Sequence, residues 1–395
     1  MQVSVVGQGY VGLPLAIAAS QAGYLVFGVD HNEEKVALLS SGKSILEDLT
    51  DDVIKKAIAS ECFLPTTDPT VISRSELVLI CVPTPLSDDH KPDLALLISA
   101  VTTVGKNLKS GTLVIVESTI EPGTCRNIVL PILLRESGMT IDDIEIAYSP
   151  ERIDPANKKW GIRNTPKLVA GLTENSTNRA LKFYGKFIDS ITICSSVEIA
   201  ETAKLLENSF RFINISFVNE LAMFCEKIEI DVNEVISAAA TKPYGYMPFY
   251  PSIGVGGHCI PVDPLYLANS TKAVGVPSRF IGLADQINQE MPGYFVGRAE
   301  AKIDGLKNKK VLVVGVSYKP NVADIRESPV ESLISGLKQK GAQVSWHDDL
   351  VKEWKGEKSV ALSSLFDLAI IATPHDYLDL TKLGNVPILN TRGSI

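Results

Sequence analysis

Cysteines are few and scattered in this 395-residue chain. The six stand at positions 62, 81, 125, 194, 225 and 259 and follow neither the short paired spacing of a zinc site nor a disulfide framework. The sequence also opens on a strand-like run instead of a signal peptide. We therefore expect a protein of a reducing compartment, with the cytoplasm as the default location, and no metal site.

Runs of positive charge and long hydrophobic runs are missing as well. The net charge is -8, the pI is near 5.3, and no sustained Lys/Arg stretch occurs, which argues against a nucleic-acid partner. An anionic substrate would need locally placed cations. No apolar run reaches the length of a membrane-spanning helix, so no membrane partner is expected.

The remaining composition is ordinary for a globular protein, with 45% hydrophobic and 21% charged residues. A chain of this length is predicted to form two or three domains. Strand-like and helix-like segments alternate over roughly the first 190 residues and again from residue 309, which predicts doubly wound α/β domains at both ends.

A dinucleotide-binding fingerprint opens the chain. The strand-like run Gln2–Val6 leads into Gly7–Gly12, a G-x-G-x-x-G motif, and a helical run follows from Leu13. In such units the glycines permit a tight turn and a close pyrophosphate, and the helix N-terminus offers free N–H groups. Dinucleotide binding is predicted, with a purely structural glycine turn as the alternative.

Asp30 ends the second strand-like run, about twenty residues after the glycines. A carboxylate at this place bonds a ribose 2′-hydroxyl and repels a 2′-phosphate. His31 and Asn32 supply no arginine that could hold such a phosphate. The predicted cofactor is therefore NAD and not NADP.

Polar residues also follow later strand-like runs of the first domain. Pro83 and Thr84 end one run, Ser118 and Thr119 end the next, and Glu151 follows a third. Ligands of such sheets bind beyond the carboxyl ends of the strands. A role as ordinary turn residues, or as a solvated loop charge for Glu151, stays open.

A long helix is predicted from Glu198 to about Lys227, because apolar residues recur there at helical spacing without proline or glycine. Lys204 and Asn208 stand four residues apart and share one face. A lysine and an asparagine aimed at one point can polarise an oxygen on which charge develops. A solvent face or a polar subunit contact fits equally well, and a helix of this length also suits dimer packing.

The segment 254–264 places the thiol of Cys259 in a glycine-rich loop. Glycines let other groups approach the backbone, and the prolines at 261 and 264 are expected to stiffen the exit of the loop. Asp263 follows the thiol by four residues. Inert structural cysteines are typical of apolar runs, so this one is a candidate nucleophile. A buried turn with a chance cysteine is the alternative.

Two further regions flank this loop. The aromatic, proline-rich stretch 241–252 can hold a nucleoside or a sugar, or can serve as hydrophobic packing. In the last α/β domain Gly315 lacks the later glycines of the fingerprint. Lys319, Arg326 and Arg392 near its predicted strand ends suit a diphosphate, with solvated surface charges as the alternative.

Together these motifs resemble the UDP-glucose/GDP-mannose dehydrogenase family of nucleotide-sugar 6-dehydrogenases, over nearly the whole chain. The matching residues are Gly7–Gly12, Pro83–Pro85, Ser118–Thr119 with Pro122–Thr124, Ser149–Glu151, Lys204 with Asn208, Gly256–Cys259 with Asp263, and Lys319–Asp324 with Arg326, Ser328 and Pro329.

Within this family, Lys242–Gly245 and His258–Pro264 look most like the branch acting on UDP-N-acetylglucosamine, with UDP-N-acetylmannosamine enzymes close by. Pro251–Gly254 looks more like the glucose branch, although Val262 stands where glucose enzymes carry lysine.

The resemblance implies two Rossmann-like doubly wound domains joined by a central helical dimerisation region with a long helix. The implied bounds are 1–192 for the NAD-binding domain, 193–302 for the central domain with the cysteine loop, and 303–395 for the UDP-sugar-binding domain. A homodimer through the central helices is implied as well.

The resemblance also implies oxidation of the C6 alcohol of a UDP-sugar to a carboxylate with two NAD per turnover, through a thiohemiacetal and a thioester on Cys259. Lys204 and Asn208 would stabilise oxyanions, and Asp263 would orient water or a base. Thr119 and Glu151 would assist hydrolysis.

The remaining implied roles are in binding. The cofactor residues are Gly7, Gly9, Tyr10, Val11, Gly12, Asp30, Lys35, Pro83, Thr84, Ser118, Thr119, Glu151 and Arg326. The substrate residues are Glu151, Arg152, Lys204, Asn208, Phe249, Tyr250, Ser252, Gly256 and Lys319.

Two other functions compete with this prediction. A single-step hydroxyacid dehydrogenase also pairs a Rossmann domain with a helical lysine and asparagine, but it needs neither Cys259 nor a third domain. A catalytically silent nucleotide-sugar sensor would bind both ligands without forming NADH, and the presence of both Cys259 and Lys204 argues against it.

Overall fold

The computed structural model describes residues 1–46, 49–87, 89–153, 157 and 159–392. The chain divides into two compact units, Met1–Leu206 and Glu207–Ile395, and the division falls within one long helix. The three domain bounds expected from the sequence stay a prediction.

The first unit alternates strands and helices. Its elements are β1 (Gln2–Val6), α1 (Gly12–Gln21), β2 (Leu25–Val29), α2 (Glu33–Ser40), α3 (Asp51–Ala59), β3 (Phe63–Thr66), β4 (Leu77–Ile80), α4 (Ala95–Asn107), β5 (Leu113–Val116), α5 (Leu130–Ser137), β6 (Glu145–Tyr148), β7 (Lys167–Gly171), α6 (Glu174–Tyr184), β8 (Ile191–Ile193) and the start of α7 (Val197–Lys227).

These strands form one eight-stranded sheet in the order β3-β2-β1-β4-β5-β6-β7-β8. The first six strands of this order, β3-β2-β1-β4-β5-β6, are parallel to one another. Their order is that of a doubly wound dinucleotide-binding sheet. β7 is antiparallel to β6, with Tyr148 opposite Ala170. The start of β7 therefore lies at the edge where β1 to β6 end.

Two hydrophobic cores cover the two faces of this sheet. Along β4, Leu77 and Leu79 belong to one core, whereas Val78 and Ile80 belong to the other. Side chains of a strand alternate between faces, so a run that is apolar throughout predicts a strand buried on both sides. The apolar sequence of these strands thus explains the two-layered helical cover.

The second unit contains the rest of α7, a helical region and a smaller sheet. Its further elements are α8 (Val232–Ala240), α9 (Asp263–Ala273), α10 (Arg279–Lys302), β9 (Lys310–Val314), α11 (Val330–Gln339), β10 (Gln343–His347), β11 (Glu353–Trp354), β12 (Glu357–Lys358), β13 (Leu368–Ile371) and β14 (Ile388–Asn390).

The main sheet of this unit is parallel, in the order β10-β9-β13-β14. It confirms the second Rossmann-like domain expected from the sequence. The predicted long helix is also confirmed, since α7 runs for 31 residues. No helix in the described part of the chain combines the length and hydrophobicity needed to cross a bilayer.

Candidate active site

A glycine turn connects β1 to α1. Gly7 has a φ of +93°, and a Cβ there would lie 2.7 Å from the carbonyl oxygen of Cys81. A Cβ on Gly12 would lie 1.8 Å from the carbonyl oxygen of Gly7. Both positions therefore exclude a side chain. At Gly9 the described chain leaves the Cβ position open to 4 Å, which gives a ligand room to approach the backbone.

The N-terminus of α1 follows this turn directly. Its cap position is the apolar Val11, and its first residues, Gly12 to Leu15, carry no charge. Tyr10 is 49% exposed beside the turn. Backbone N–H groups and the positive end of the helix dipole are suited to a pyrophosphate.

Asp30 comes directly after β2 and is buried. Its Oδ2 accepts a hydrogen bond from the N–H of Gln8 at 2.8 Å, and its Oδ1 accepts one from the N–H of Asn32 at 3.0 Å. Lys35 Nζ lies 3.8 Å from Oδ2. The carboxylate is thereby fixed beside the glycine turn, where it can accept ribose hydroxyls. These residues fit NAD.

The polar residues predicted at the ends of β4 and β5 share one edge of the sheet because these strands are parallel. Ser118 is buried, and its Oγ donates to the carbonyl oxygen of Val82 at 2.7 Å, which ties the two strand ends together. Thr84 and Thr119 are half-buried, and Pro83 is exposed.

Glu151 and Arg152 follow β6 at the same edge. Glu151 Oε1 accepts the N–H groups of Arg152 and Ile153, each at 2.6 Å. Arg152 Nη1 donates to the carbonyl oxygen of Pro166 at 2.6 Å. Parallel pairing of β5 with β6 thus brings Glu151 and Thr119 to neighbouring strand ends.

A buried ion pair, which the sequence patterns did not reveal, lies at these strand ends. Glu117 directly follows β5, and its Oε2 lies 2.7 Å from Nζ of Lys167, the first residue of β7. The Tyr184 hydroxyl also bonds to Glu117. Burial raises the pKa of Glu117 to about 7, although Lys167 acts in the opposite direction.

Glu201 is a second buried carboxylate, on the first part of α7. It accepts the N–H of Gly123 at 2.5 Å and the N–H of Cys125 at 3.0 Å. Burial raises its pKa. These bonds attach the chain that follows Thr119 to the helical turn that carries the buried Lys204.

In the second unit, the glycines of the cysteine loop pack tightly against the segment after β9. A Cβ on Gly256 would lie 2.5 Å from the carbonyl oxygen of Glu327. Gly257 has a φ of +84°, and a Cβ there would lie 2.8 Å from the Tyr318 ring. The N–H of Gly257 donates to the carbonyl oxygen of Arg326 at 3.1 Å. The predicted close approach to the glycine backbone is confirmed.

The end of this loop differs from the expectation. Pro264 was expected to stiffen a loop exit, but it lies in the first turn of α9, which begins at Asp263. Proline is favoured in a first helical turn because its missing N–H costs no hydrogen bond there. Cys259 is exposed just before this helix, and its carbonyl oxygen accepts the N–H of Asp263 at 2.9 Å.

Asn208 meets the acidic residue of this loop. Asn208 Nδ2 donates to Asp263 Oδ2 at 2.6 Å, and both side chains are buried. Lys204 stands one turn earlier on α7, so it shares a face of the helix with Asn208. The second unit therefore brings three of the predicted catalytic residues, Asn208, Asp263 and Cys259, into one chain of contacts.

The predicted substrate stretch precedes the cysteine loop. The Phe249 ring packs edge-to-face on Phe210 of α7, with ring centroids 5.7 Å apart, and Tyr250 is 52% exposed. The N–H of Ser252 donates to Asn219 Oδ1 at 2.8 Å. Phe249 and Ser252 are thus held to α7.

Of the cations predicted in the last domain, Arg326 forms an ion pair with Asp324. Arg326 is exposed and paired with Asp324, to which its Nε donates at 2.9 Å. Lys319 is half-buried shortly after β9. Burial would raise the pKa of Asp324, but the hydrogen bonds from Arg326 outweigh it and lower the pKa.

The strand ends of the smaller sheet repeat the geometry of the glycine turn. The N–H of Gly315 donates to the carbonyl oxygen of His347, and the N–H of Val316 donates to Asp348 Oδ2 at 2.9 Å. Unlike Asp30, Asp348 is also bonded to a histidine, His375, whose Nε2 lies 3.1 Å from Oδ2. The carboxylate of Asp348 is therefore already bonded to His375 and to the backbone of Val316.

Three charged residues of these sites were not predicted as functional, namely Glu117, Lys167 and Glu201. A charge directly at the end of an apolar strand is the one signal that Glu117 and Lys167 carry in the sequence. Their pairing depends on the antiparallel direction of β7, which the sequence pattern does not give.

Models of one family match the three successive parts of the chain. The NAD-binding domain of the UDP-glucose/GDP-mannose dehydrogenase family matches residues 1–188, its central domain matches 198–290, and its UDP-binding domain matches 312–390.

Relatives match over nearly the full length. The chain is 32% identical to a UDP-N-acetyl-D-glucosamine 6-dehydrogenase of Salmonella typhi, over 95% of this chain and 90% of the relative. It is 34% identical to a UDP-N-acetyl-D-mannosamine dehydrogenase of Methanococcus aeolicus, over 95% and 84%.

Solved structures agree with these matches. A UDP-D-ManNAc dehydrogenase from Pyrococcus horikoshii superposes with a TM-score of 0.91 at 30% identity, covering 99% of this chain and 95% of that one. A UDP-glucose dehydrogenase from Pyrobaculum islandicum reaches 0.91 at 25% identity, covering 99% and 94%. The chain belongs to the UDP-glucose/GDP-mannose dehydrogenase family and is an NAD-dependent nucleotide-sugar dehydrogenase.

Proposed function

We propose that this protein oxidises the C6 alcohol of a UDP-N-acetylhexosamine to the carboxylate, with UDP-N-acetylglucosamine as the first candidate substrate and UDP-N-acetylmannosamine as the second. The observation that carries the oxidation chemistry is the 2.6 Å hydrogen bond between Asn208 and Asp263 beside the exposed Cys259. The choice of sugar is supported by the relatives named UDP-N-acetyl-D-glucosamine 6-dehydrogenase and UDP-N-acetyl-D-mannosamine dehydrogenase. A nucleophile, a carboxylate and an amide donor at one place are the groups that such a reaction needs.

The glycine turn and Asp30 would hold NAD, which would supply the hydride acceptor for each of the two oxidations. The residues of this chain manage the intermediates. Cys259 Sγ forms a bond to the aldehyde carbon as the C=O π bond breaks, and the oxygen takes up a proton, equivalent to the one that the thiol loses, to become the hydroxyl of a thiohemiacetal. After the second oxidation the same carbon is a thioester, so the reactive aldehyde is not released.

Hydrolysis then breaks the C–S bond. The oxygen of water adds to the thioester carbon and loses a proton to a base. The tetrahedral intermediate then re-forms its C=O bond as the C–S bond breaks, so the sulfur of Cys259 leaves with the electron pair as thiolate or, once protonated, as thiol, and the sugar carbon is released as the carboxylate. Asp263 would orient this water or accept its proton, and Thr119 and Glu151 would assist. Lys204 and Asn208, one helical turn apart, would stabilise the oxyanions of both steps.

The cations of the last domain support a diphosphate-containing substrate. Lys319 and Arg326 lie in the segment that packs on Gly256 and Gly257. We assign Lys319, Gly256 and Phe249 to Ser252 to the UDP-sugar, and Arg326 to the cofactor. A homodimer through α7 is also proposed, because Phe217 and Phe224 on this helix are 60% and 57% exposed in the single chain.

A panel of UDP-sugars tests the substrate. Each of UDP-N-acetylglucosamine, UDP-N-acetylmannosamine and UDP-glucose is incubated with NAD, NADH is followed by absorbance, and the product mass is determined. The proposal predicts turnover with an N-acetylhexosamine and a product heavier by the exchange of two hydrogens for one oxygen. Preference for UDP-glucose would contradict the substrate assignment.

The Cys259→Ser variant tests the mechanism. A neutral hydroxyl is a far poorer nucleophile than a thiolate at neutral pH, so both ligands should bind while carboxylate formation stalls. Cys62→Ser, a substitution at a half-buried cysteine of the first unit, is the matched control and should keep full turnover. Wild-type turnover by Cys259→Ser would refute the covalent role.

A further inference from the structure

The buried ion pair of Glu117 and Lys167 has no role in the mechanism above. Its side chains are 0% and 7% exposed, and the charged atoms lie 2.7 Å apart. Tyr184, also buried, adds a hydrogen bond to the same carboxylate. The pair lies below the strand ends that carry Thr119 and Glu151, the two residues assigned to hydrolysis.

One ammonium group connects the two strand ends. Lys167 Nζ bonds to Glu117, two residues before Thr119, and also donates to the carbonyl oxygen of Pro150 at 3.3 Å, directly before Glu151. The contact between Lys167 and Pro150 depends on the antiparallel direction of β7, which places the first residue of β7 beyond the end of β6. A parallel strand would put Lys167 at the opposite edge of the sheet.

Stability gives little reason to keep such a pair. Desolvation of two charges offsets most of their attraction, and an apolar replacement of similar volume often stabilises a protein at least as well. The pKa of Glu117, raised by burial to about 7, reflects this desolvation. The pair does fix geometry, since an ammonium with two oxygen partners holds both loops at set distances.

We propose that Lys167, paired with Glu117, is a positioning residue that keeps Thr119 and Glu151 in register for hydrolysis of the thioester on Cys259. This inference rests on the proposed function. The two hydrogen bonds of Lys167 Nζ end at Glu117 and Pro150, next to the loops of Thr119 and Glu151. Lys167 is therefore expected to act mainly on hydrolysis when NAD and the UDP-sugar are saturating, so that any weaker binding through Thr119 and Glu151 does not limit the first oxidation.

The test uses the full-length double variant Glu117→Gln/Lys167→Met, which leaves neither charge buried without its counterion. Rapid-quench intact-protein mass spectrometry, with UDP-N-acetylglucosamine and NAD, measures the sugar adduct on the enzyme. A misplacement of about 1 Å can cost about 100-fold in rate. We expect the first oxidation to stay within about threefold of wild type and hydrolysis to slow by about 10- to 100-fold, so that the adduct accumulates.

Matched controls distinguish positioning from general damage. Asp52→Asn/Lys56→Met removes an exposed ion pair of the first unit, with atoms 2.9 Å apart, and should change neither rate. Lys167→Arg keeps the buried charge balanced but presents a planar fork in place of a point charge. Lys167→Arg should accumulate the same adduct to a smaller extent. If the double variant does not fold, adduct accumulation in Lys167→Arg tests the inference instead.

Three results would overturn the inference. The first is wild-type turnover without adduct in both Lys167 variants. The second is a uniform loss of both oxidation steps and of hydrolysis, which would indicate a purely structural pair. The third is the lack of any adduct in Thr119→Ala and Glu151→Gln as well as in the Lys167 variants. That last result would contradict the assignment of Thr119 and Glu151 to hydrolysis, and a lack of uronate product from the wild-type enzyme would refute the proposed function itself. Adduct in Thr119→Ala and Glu151→Gln alone would refute only the role of Lys167.

Discussion

Replacement of Asn208 by alanine separates its structural contact from its proposed chemistry. The substitution removes the Nδ2 group that donates to Asp263 Oδ2 at 2.6 Å. Both side chains are buried, so water does not readily replace the lost donor. Leaving a buried charged acceptor short of one hydrogen bond costs about 1–3 kcal/mol of unfolding free energy.

The proposed oxyanion role adds a separate kinetic cost. Loss of one oxyanion donor lowers kcat by about 10²–10³-fold, or about 2.7–4 kcal/mol. We therefore expect Asn208→Ala to unfold at a lower urea concentration and to form NADH about 10²–10³-fold more slowly at saturating substrate. Urea unfolding followed by circular dichroism gives the first quantity, and initial rates of NADH formation give the second.

Asn107→Ala is the matched control for this experiment. Asn107 Nδ2 donates at 2.9 Å to a backbone oxygen of its own helix, α4, so the substitution removes a similar bond far along the chain from the cysteine loop. The reasoning is refuted if Asn208→Ala loses stability but keeps kcat within about threefold of wild type. Asn208 would then only support Asp263.

Three other predictions test the cofactor, the last domain and the assembly. Since Asp30 would repel a 2′-phosphate, kcat/KM with NADP should be about 10- to 1,000-fold below that with NAD, and Asp30→Ser should narrow this ratio in steady-state assays. Burial would raise the pKa of Asp348, but hydrogen bonds from His375 and from backbone N–H groups lower it to about 2. The stability that this carboxylate contributes is therefore present above pH 4 and is lost as the pH falls toward 2. Asp348→Asn should lower the free energy of unfolding by about 1–2 kcal/mol at pH 7 and by less at pH 3, as measured by urea titration. Phe217→Lys should shift the protein from dimer to monomer in sedimentation equilibrium.

Substitutions at exposed residues serve as controls for these predictions. Asp349→Asn changes the exposed neighbour of Asp348 and should have little effect at either pH. Leu365→Lys alters a residue that is 76% exposed in the last domain and should leave a dimer intact. Equal efficiency with NADP, a pH-independent effect of Asp348→Asn, or a dimeric Phe217→Lys protein would each contradict the corresponding prediction.

The sequence predicts those parts of the fold that depend on local patterns. The glycine turn, β1 and α7 follow from glycine spacing, a short apolar run and helical periodicity, and the structure confirms them. The position of Asp30 beside the glycine turn was predictable, because its distance in sequence from the glycines is set by one βαβ unit. The expected fold class and the family resemblance are confirmed by the sheet order and by the family models.

Features that depend on long-range pairing were beyond these patterns. The direction of β7 follows from the sheet as a whole, so the contact of Lys167 with Glu117 was not foreseen. Asp263 was expected in a loop because two nearby prolines suggested an irregular exit, although Pro264 instead marks the first turn of α9. The bond between Asn208 and Asp263 joins residues 55 apart in sequence, and spacing alone cannot give it.

The number of NADH formed per UDP-sugar consumed tests the central proposal most directly. With a limiting, weighed amount of UDP-N-acetylglucosamine and excess NAD, the total absorbance change at completion gives this ratio. A four-electron oxidation through Cys259 predicts two NADH for each sugar. A ratio of one, with an aldehyde or ketone as the product, would contradict it and favour a single-step dehydrogenase.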